Sequence, residues 1–295
     1  MVTTRPMLRR ISAQVRGEAS KPVPAERPAR TRPASPVATP PPPAIERSAR
    51  LRAYRETGFE AIQGWCQPQT LSLLAELAEI QDDAGVTGGS CEIGVYHGKL
   101  FIALHLLRSP GTRSLAIDLF ENQELNIDHS GVERTGEFVR SLQAHCPEPD
   151  AVDPMARDSL DLSDADVLAI LQKYERFRLL SVDGGHTADH AVNDLRLAQR
   201  VLAAGGIVAL DDYYNQDWPG VHEGVARLFI LDSPRIFPFL IGFGKLYFTT
   251  IGHHDRYLRA MVTRLKEPGN TAKLVHMYGH QVLSVRGLAP QAATG

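Results

Sequence analysis

Two short segments of this 295-residue chain put carboxylates where chemistry can happen. One is Asp183-Gly184-Gly185-His186, closing the apolar run F-R-L-L-S-V. The other is Asp211-Asp212-Tyr213-Tyr214-Asn215, following I-V-A-L. If the two runs are neighbouring strands of a parallel sheet, three carboxylates converge on one cleft. Like charges that close raise one another's pKa unless a cation or hydrogen-bond donors neutralise them. The oxygen set Asp183, Asp211 and Asp212 suits a hard ion such as Mg²⁺, which binds a substrate hydroxyl and makes it more acidic. The plainer alternative leaves Asp212 facing solvent and Asp211 capping a loop. A histidine ordinarily titrates near neutrality, so His186 can take a proton from a hydroxyl, or it can be an ordinary surface or capping histidine.

A third segment, S-C-E-I-G-V-Y-H-G-K-L (90–100), is an apolar run that breaks into glycines and turns helical. Gly94 and Gly98 bracket a strand-to-helix turn, where a missing Cβ lets a ligand approach the backbone. The spacing E-x-G-x-x-x-G is not the dinucleotide fingerprint, and a tight packing turn explains it equally well. Asp118 lies 26 residues after Glu92, at the tip of the next predicted strand. There it can accept hydrogen bonds from a ribose or cap the following turn. Asp158 and Ser159 can meet an adenine edge or cap a helix.

These residues need a scaffold of alternating elements. Apolar spacing predicts a helix over 69–82, strands at 90–95, 114–119, 151–156, 177–183 and 207–211, and helices at 98–108, 132–145, 163–174, 188–203 and 220–231. Two last strands, 236–242 and 245–250, are linked by G-F-G as a hairpin. Alternation of this kind predicts an α/β fold, a mostly parallel sheet covered on both faces with the hairpin antiparallel. Ligands in such sheets bind beyond the carboxyl ends of the strands, where every residue named above falls. The organisation expected is a Pro/Arg/Ala-rich disordered tail over 1–46, a helical segment over 47–87, a core over 88–252 and a helical or irregular extension over 253–295.

Composition bounds the function. Hydrophobic content of 43% with 22% charged residues is that of a globular protein with a sizeable core. No apolar stretch reaches the ~18 residues that span a bilayer. Residues 1–55 hold 11 Arg and one Lys against three Glu, so the remainder is acidic, which argues against a nucleic-acid groove there. Half of the 20 prolines lie in residues 1–46, with too few aromatic or branched residues to offset the entropy of ordering. Cys66, Cys91 and Cys146 fit neither a disulfide framework nor a zinc ribbon, which points to a reducing, cytoplasmic setting.

Together, C-E-I-G-V-Y-H-G-K, the acid of A-I-D-L-F, S-V-D-G-G-H-T-A-D-H and G-G-I-V-A-L-D-D-Y-Y-N resemble the class I S-adenosylmethionine-dependent methyltransferases. Within them they look like the branch of macrocin O-methyltransferase-like and cephalosporin-hydroxylase-like proteins. The resemblance covers about residues 88–250. It implies a Rossmann-like seven-stranded sheet of order 3-2-1-4-5-7-6, with the cofactor over strands 1 to 3. It implies that Glu92, Gly94 and Gly98 flank the cofactor's methionine part and that Asp118 holds its ribose. Asp158, Ser159 and Asp183 complete the expected cofactor set, and Asp183, Asp211 and Asp212 match the positions that bind Mg²⁺. Two departures stand out: Tyr96 replaces a frequent glycine, and Gly185 replaces the second acid of D-G-D, which moves the base to His186. The implied activity is O-methylation of a small-molecule hydroxyl on a sugar or secondary metabolite, by a possible homo-oligomer. Alternatives are a metal-independent methyltransferase, an NAD(P) oxidoreductase and a non-catalytic scaffold. The segment 120–131 is polar and long enough to form part of a substrate lid.

Overall fold

The computed structural model describes residues 44–120, 122 and 135–289. The expected tail therefore lies outside the described residues up to position 43, as does the expected lid apart from Phe120 and Asn122. Two helices come first, α1 (Ala44–Thr57) and α2 (Pro68–Asp83). Pro68 opens α2 at the position where a missing N–H forfeits no helical hydrogen bond.

Strands and helices then alternate as the hydrophobic spacing requires: β1 (Gly89–Ile93), α3 (Lys99–Leu107), β2 (Ser114–Asp118), α4 (Thr135–His145), β3 (Val152–Ala156), α5 (Asp164–Tyr174) and β4 (Phe177–Val182). After them come α6 (Ala188–Val201), β5 (Leu202–Leu210), α7 (Pro219–Leu231), β6 (Ile236–Gly242), β7 (Lys245–Thr250) and α8 (Ile251–Arg264). Two further strands, β8 (Thr271–Met277) and β9 (His280–Gly287), close the described chain. The sheet runs β3-β2-β1-β4-β5-β7-β6-β9-β8. Its first seven positions reproduce the implied order, with β7 antiparallel to both β5 and β6.

Period-two alternation sends successive strand residues to opposite faces, so a doubly covered sheet needs two cores. Ile207 and Ala209 of β5 join Leu73 and Leu77 of α2, Phe101 of α3 and Met261 of α8. Val208 and Leu210 join Ile170 of α5, Leu195 of α6 and Val225 of α7 on the other face. A buried polar contact sits under β2: His105 Nδ1 lies 2.9 Å from Ser114 Oγ, while its Nε2 is buried without a hydrogen-bond partner. Burial, helped by Arg108, pushes the His105 imidazole down to about 3.

Two expectations change. Among the described residues after 253, helix ends with α8; from Thr271 two strands extend the sheet to nine, with β9 parallel to β6. Their turn, Tyr278-Gly279, has positive φ at both residues (49° and 81°), the backbone of a tight two-residue hairpin. α6 also stops at Val201, and β5 begins there rather than at 207. Gly205 (φ 78°) lets the chain bulge where pairing steps from Phe177↔Leu202 to Leu179↔Ile207.

Candidate active site

The cleft opens beyond the carboxyl ends of β1, β2, β4 and β5 and has a volume of about 930 Å³. Glu92, Gly94, Asp118, Asp158, Ser159, Asp183, His186, Asp211 and Asp212 all border it. Gly98 does not: at φ 87° it precedes α3, and a Cβ there would lie 2.9 Å from the Phe138 ring.

One wall is built on the β1–α3 loop. A Cβ on Gly94 would sit 1.8 Å from the Asp183 carbonyl oxygen, so the tips of β1 and β4 touch through bare backbone. Asp118, entering from β2, clasps the loop. Its Oδ2 accepts the amides of Val95 (2.6 Å) and Tyr96 (2.9 Å), and its Oδ1 accepts that of Phe120 (3.0 Å). The turn-capping role is thus filled, on a carboxylate that still borders the cleft. That clasp also secures Tyr96 in the left-handed region (φ 49°), where glycine is commoner. The Tyr96 ring stacks on His97 at 3.8 Å and lies 5.4 Å from Trp65. Glu92 is buried with Oε2 lacking a hydrogen-bond partner. Burial, then the Asp183 charge, holds its carboxyl well above the usual range.

At the tip of β3, Asp158 accepts the Leu160 amide (2.9 Å) and so caps the short 3-10 turn Ser159–Asp161. Asp158 also lies 3.3 Å from His190 Nε2. His190 Nδ1 meets Thr187 Oγ1 at 2.8 Å, which ties this histidine to the start of α6.

The other wall gathers charge. His186 Nε2 is 3.3 Å from Asp212 Oδ2 and 3.8 Å from Asp183 Oδ1, and its ring stacks on Trp218 at 4.3 Å. Asn215 donates to Asp212 Oδ1 (3.0 Å), and Asp212 takes a positive φ of 58°. Asp211 meets a residue absent from the sequence-based set: Lys245, whose Nζ donates to Asp211 Oδ2 and lies 4.0 Å from Asp183 Oδ2. Lys245 is only 1% exposed. Against the penalty of burial, Asp211 and Asp183 hold its ammonium above the ordinary lysine range. The pairing follows from the antiparallel register: Leu210 faces Leu246, which brings Asp211, just past the end of β5, opposite Lys245, the first residue of β7. Trp65 and Trp218 likewise border the cleft without a motif to announce them.

S-adenosylmethionine fits the first wall. Its ammonium suits the unpartnered buried oxygen of Glu92, and the missing Cβ of Gly94 lets the β1 tip that carries this wall close against Asp183. Mg²⁺ does not fit the expected trio as it stands, because Asp211 is bound to an ammonium and both oxygens of Asp212 have protein partners. A different trio, Asp183, His186 and Asp212, brings ligand atoms within 4.8 Å of one another, but a ring nitrogen in place of the third oxygen is not a magnesium set.

Residues 91–213 match a family profile described as a methyltransferase domain. Among curated proteins, none matches the chain by sequence. The solved O-methyltransferase NovP is 13% identical, with a TM-score of 0.52 over 70% of this chain and 98% of its own. The calicheamicin methyltransferase CalS11 is 19% identical, with a TM-score of 0.45 over 70% of this chain and 92% of its own. The O-methyltransferase TomG from Streptomyces achromogenes is 18% identical, with a TM-score of 0.41 over 70% of this chain and 88% of its own. No helix among the described residues is long and apolar enough to cross a membrane. The residues that match the methyltransferase-domain profile are those that build most of the cleft, on a sheet of this order, so residues 91–213 form a domain of the S-adenosylmethionine-dependent methyltransferase type.

Proposed function

We propose that the protein transfers a methyl group from S-adenosylmethionine to a hydroxyl oxygen of a small acceptor, a sugar or another natural product, with His186 as the base. The observation that carries this reading is the His186–Asp212 pair, 3.3 Å apart in the same cleft as the loop held by Asp118. S-adenosylmethionine, when bound, supplies an electrophilic sulfonium methyl. The acceptor oxygen gives up its proton to the His186 imidazole as it becomes the nucleophile. Asp212 stabilises the imidazolium that results, and the Trp218 ring fixes its plane. Glu92, Gly94 and Asp118 orient the donor on the opposite wall, and holding two reactants in one geometry removes much of the entropic barrier. Exposed Trp65 and neighbouring Tyr96 offer apolar ring faces that suit a sugar or a flat natural product.

Calorimetry with S-adenosylmethionine tests the reading, with a single site expected on the wild type. No binding, with or without Mg²⁺, would remove it. His186→Gln is expected to lower kcat by about 10²–10⁴ while leaving cofactor affinity within about twofold, which separates proton transfer from binding.

A further inference from the structure

We propose that the Lys245 ammonium is the resident cation of the acidic cleft, standing where the three-carboxylate pattern calls for a divalent metal, so that methyl transfer in this chain needs none. The inference rests on the methyltransferase reading of the cleft and adds to it the identity of the neutralising charge.

Three observations converge. Lys245 Nζ donates to Asp211 Oδ2 and lies 4.0 Å from Asp183 Oδ2, so one ammonium spans the two strand tips. The remaining carboxylate, Asp212, is satisfied separately by His186 at 3.3 Å and Asn215 at 3.0 Å. Lys245 itself is 1% exposed, and a buried ammonium persists only where carboxylates face it. A divalent ion at the expected trio would have to share Asp211, whose other oxygen accepts the Asp212 amide, with that ammonium and sit beside a like charge. Mg²⁺ demands near-ideal octahedral oxygen geometry, and this set no longer offers three open oxygens. The lysine acts through Asp183 and Asp211 rather than on the acceptor. It cancels their repulsion and fixes the charge of the wall against which His186 works, which makes it a positioning residue.

The inference also predicts a hidden site. Removing the ammonium leaves Asp183 and Asp211 facing each other without a cation, and a divalent ion then becomes the simplest way to neutralise them. Mn²⁺ followed by electron paramagnetic resonance is the probe, on the full chain, for wild type, Lys245→Ala, and Lys245→Ala combined with Asp211→Asn. Wild type is expected to bind Mn²⁺ in the cleft at least about tenfold more weakly than Lys245→Ala, and the added Asp211→Asn change to erase that gain. Wild-type turnover after exhaustive EDTA dialysis is expected to stay within about twofold of its starting value, which needs no variant to fold.

Loss of wild-type turnover on EDTA treatment with restoration by Mg²⁺ would overturn the proposal. Tight Mn²⁺ binding by wild type that Asp211→Asn abolishes would do the same, as would a folded Lys245→Ala that gains no Mn²⁺ affinity. S-adenosylmethionine calorimetry on the same samples keeps the two readings apart. A chain that binds no cofactor yet shows the Mn²⁺ pattern fails the functional reading alone, whereas one that binds cofactor and needs Mg²⁺ fails this one alone.

Discussion

Asp118 and Asp211 occupy like positions, each a carboxylate at the tip of a parallel strand bordering the same cleft, yet they are held by opposite means. Asp118 is met by three backbone amides of its own neighbourhood. Asp211 is met by one ammonium from the far side of a hairpin. The difference separates two ways of keeping an anion beside a cavity. Neutral donors shape a loop and leave charge available to a ligand, whereas a buried counter-charge fixes the electrostatics of the wall and ties it to stability.

Removing each acid tests that contrast, and the largest effect is expected from Asp211→Asn. It leaves a buried ammonium without its direct partner, and a loss of about 3–5 kcal/mol in urea unfolding is expected. Asp118→Ala frees amides on a loop that borders the cleft. The main loss is therefore expected in cofactor affinity, about 100-fold by calorimetry, equivalent to about 2.7 kcal/mol. Equal stability losses from both variants would erase the distinction.

A smaller effect belongs to the neutral side alone. His105 is held down to about 3 by burial, below its unfolded value of about 6.5. As pH falls through 6.5 the unfolded chain takes up this proton first. The stability held by the neutral imidazole is thus fully present above about 6.5 and is lost progressively down to about 3. At pH 5 the loss amounts to about 2 kcal/mol, and His105→Gln is expected to flatten that part of the urea-midpoint profile.

The parallel half of the fold was legible because each buried strand is a short apolar run and each helix keeps its period, as in the run 177–182 and in α2. The convergence of Asp183, His186, Asp211 and Asp212 followed from strand adjacency alone. Lys245 was not legible. Its place opposite Asp211 depends on the register of an antiparallel pair, and a lysine after G-F-G reads as a solvated turn residue until that register is known. β8 and β9 escaped for a local reason: the Tyr278-Gly279 turn puts a tyrosine where Asn or Asp gives the usual hairpin signal. Asp118 illustrates a third case, in which two roles compete for one residue. Both were visible in the chain, and only the positions of the Val95, Tyr96 and Phe120 amides revealed how far the capping role is filled.

The contact at Gly94 reaches further than its loop. With 1.8 Å between a hypothetical Cβ and the Asp183 carbonyl, the donor wall and the acceptor wall abut with nothing between them. On the proposed reading, the span a methyl group must cross is thereby gauged by main chain, as a machinist's block sets a gap. Variation in side chains can retune which acceptor is welcomed while the crossing distance itself stays constant. An alanine at position 94 would act as a shim, widening that gap at its root and disturbing both walls at once.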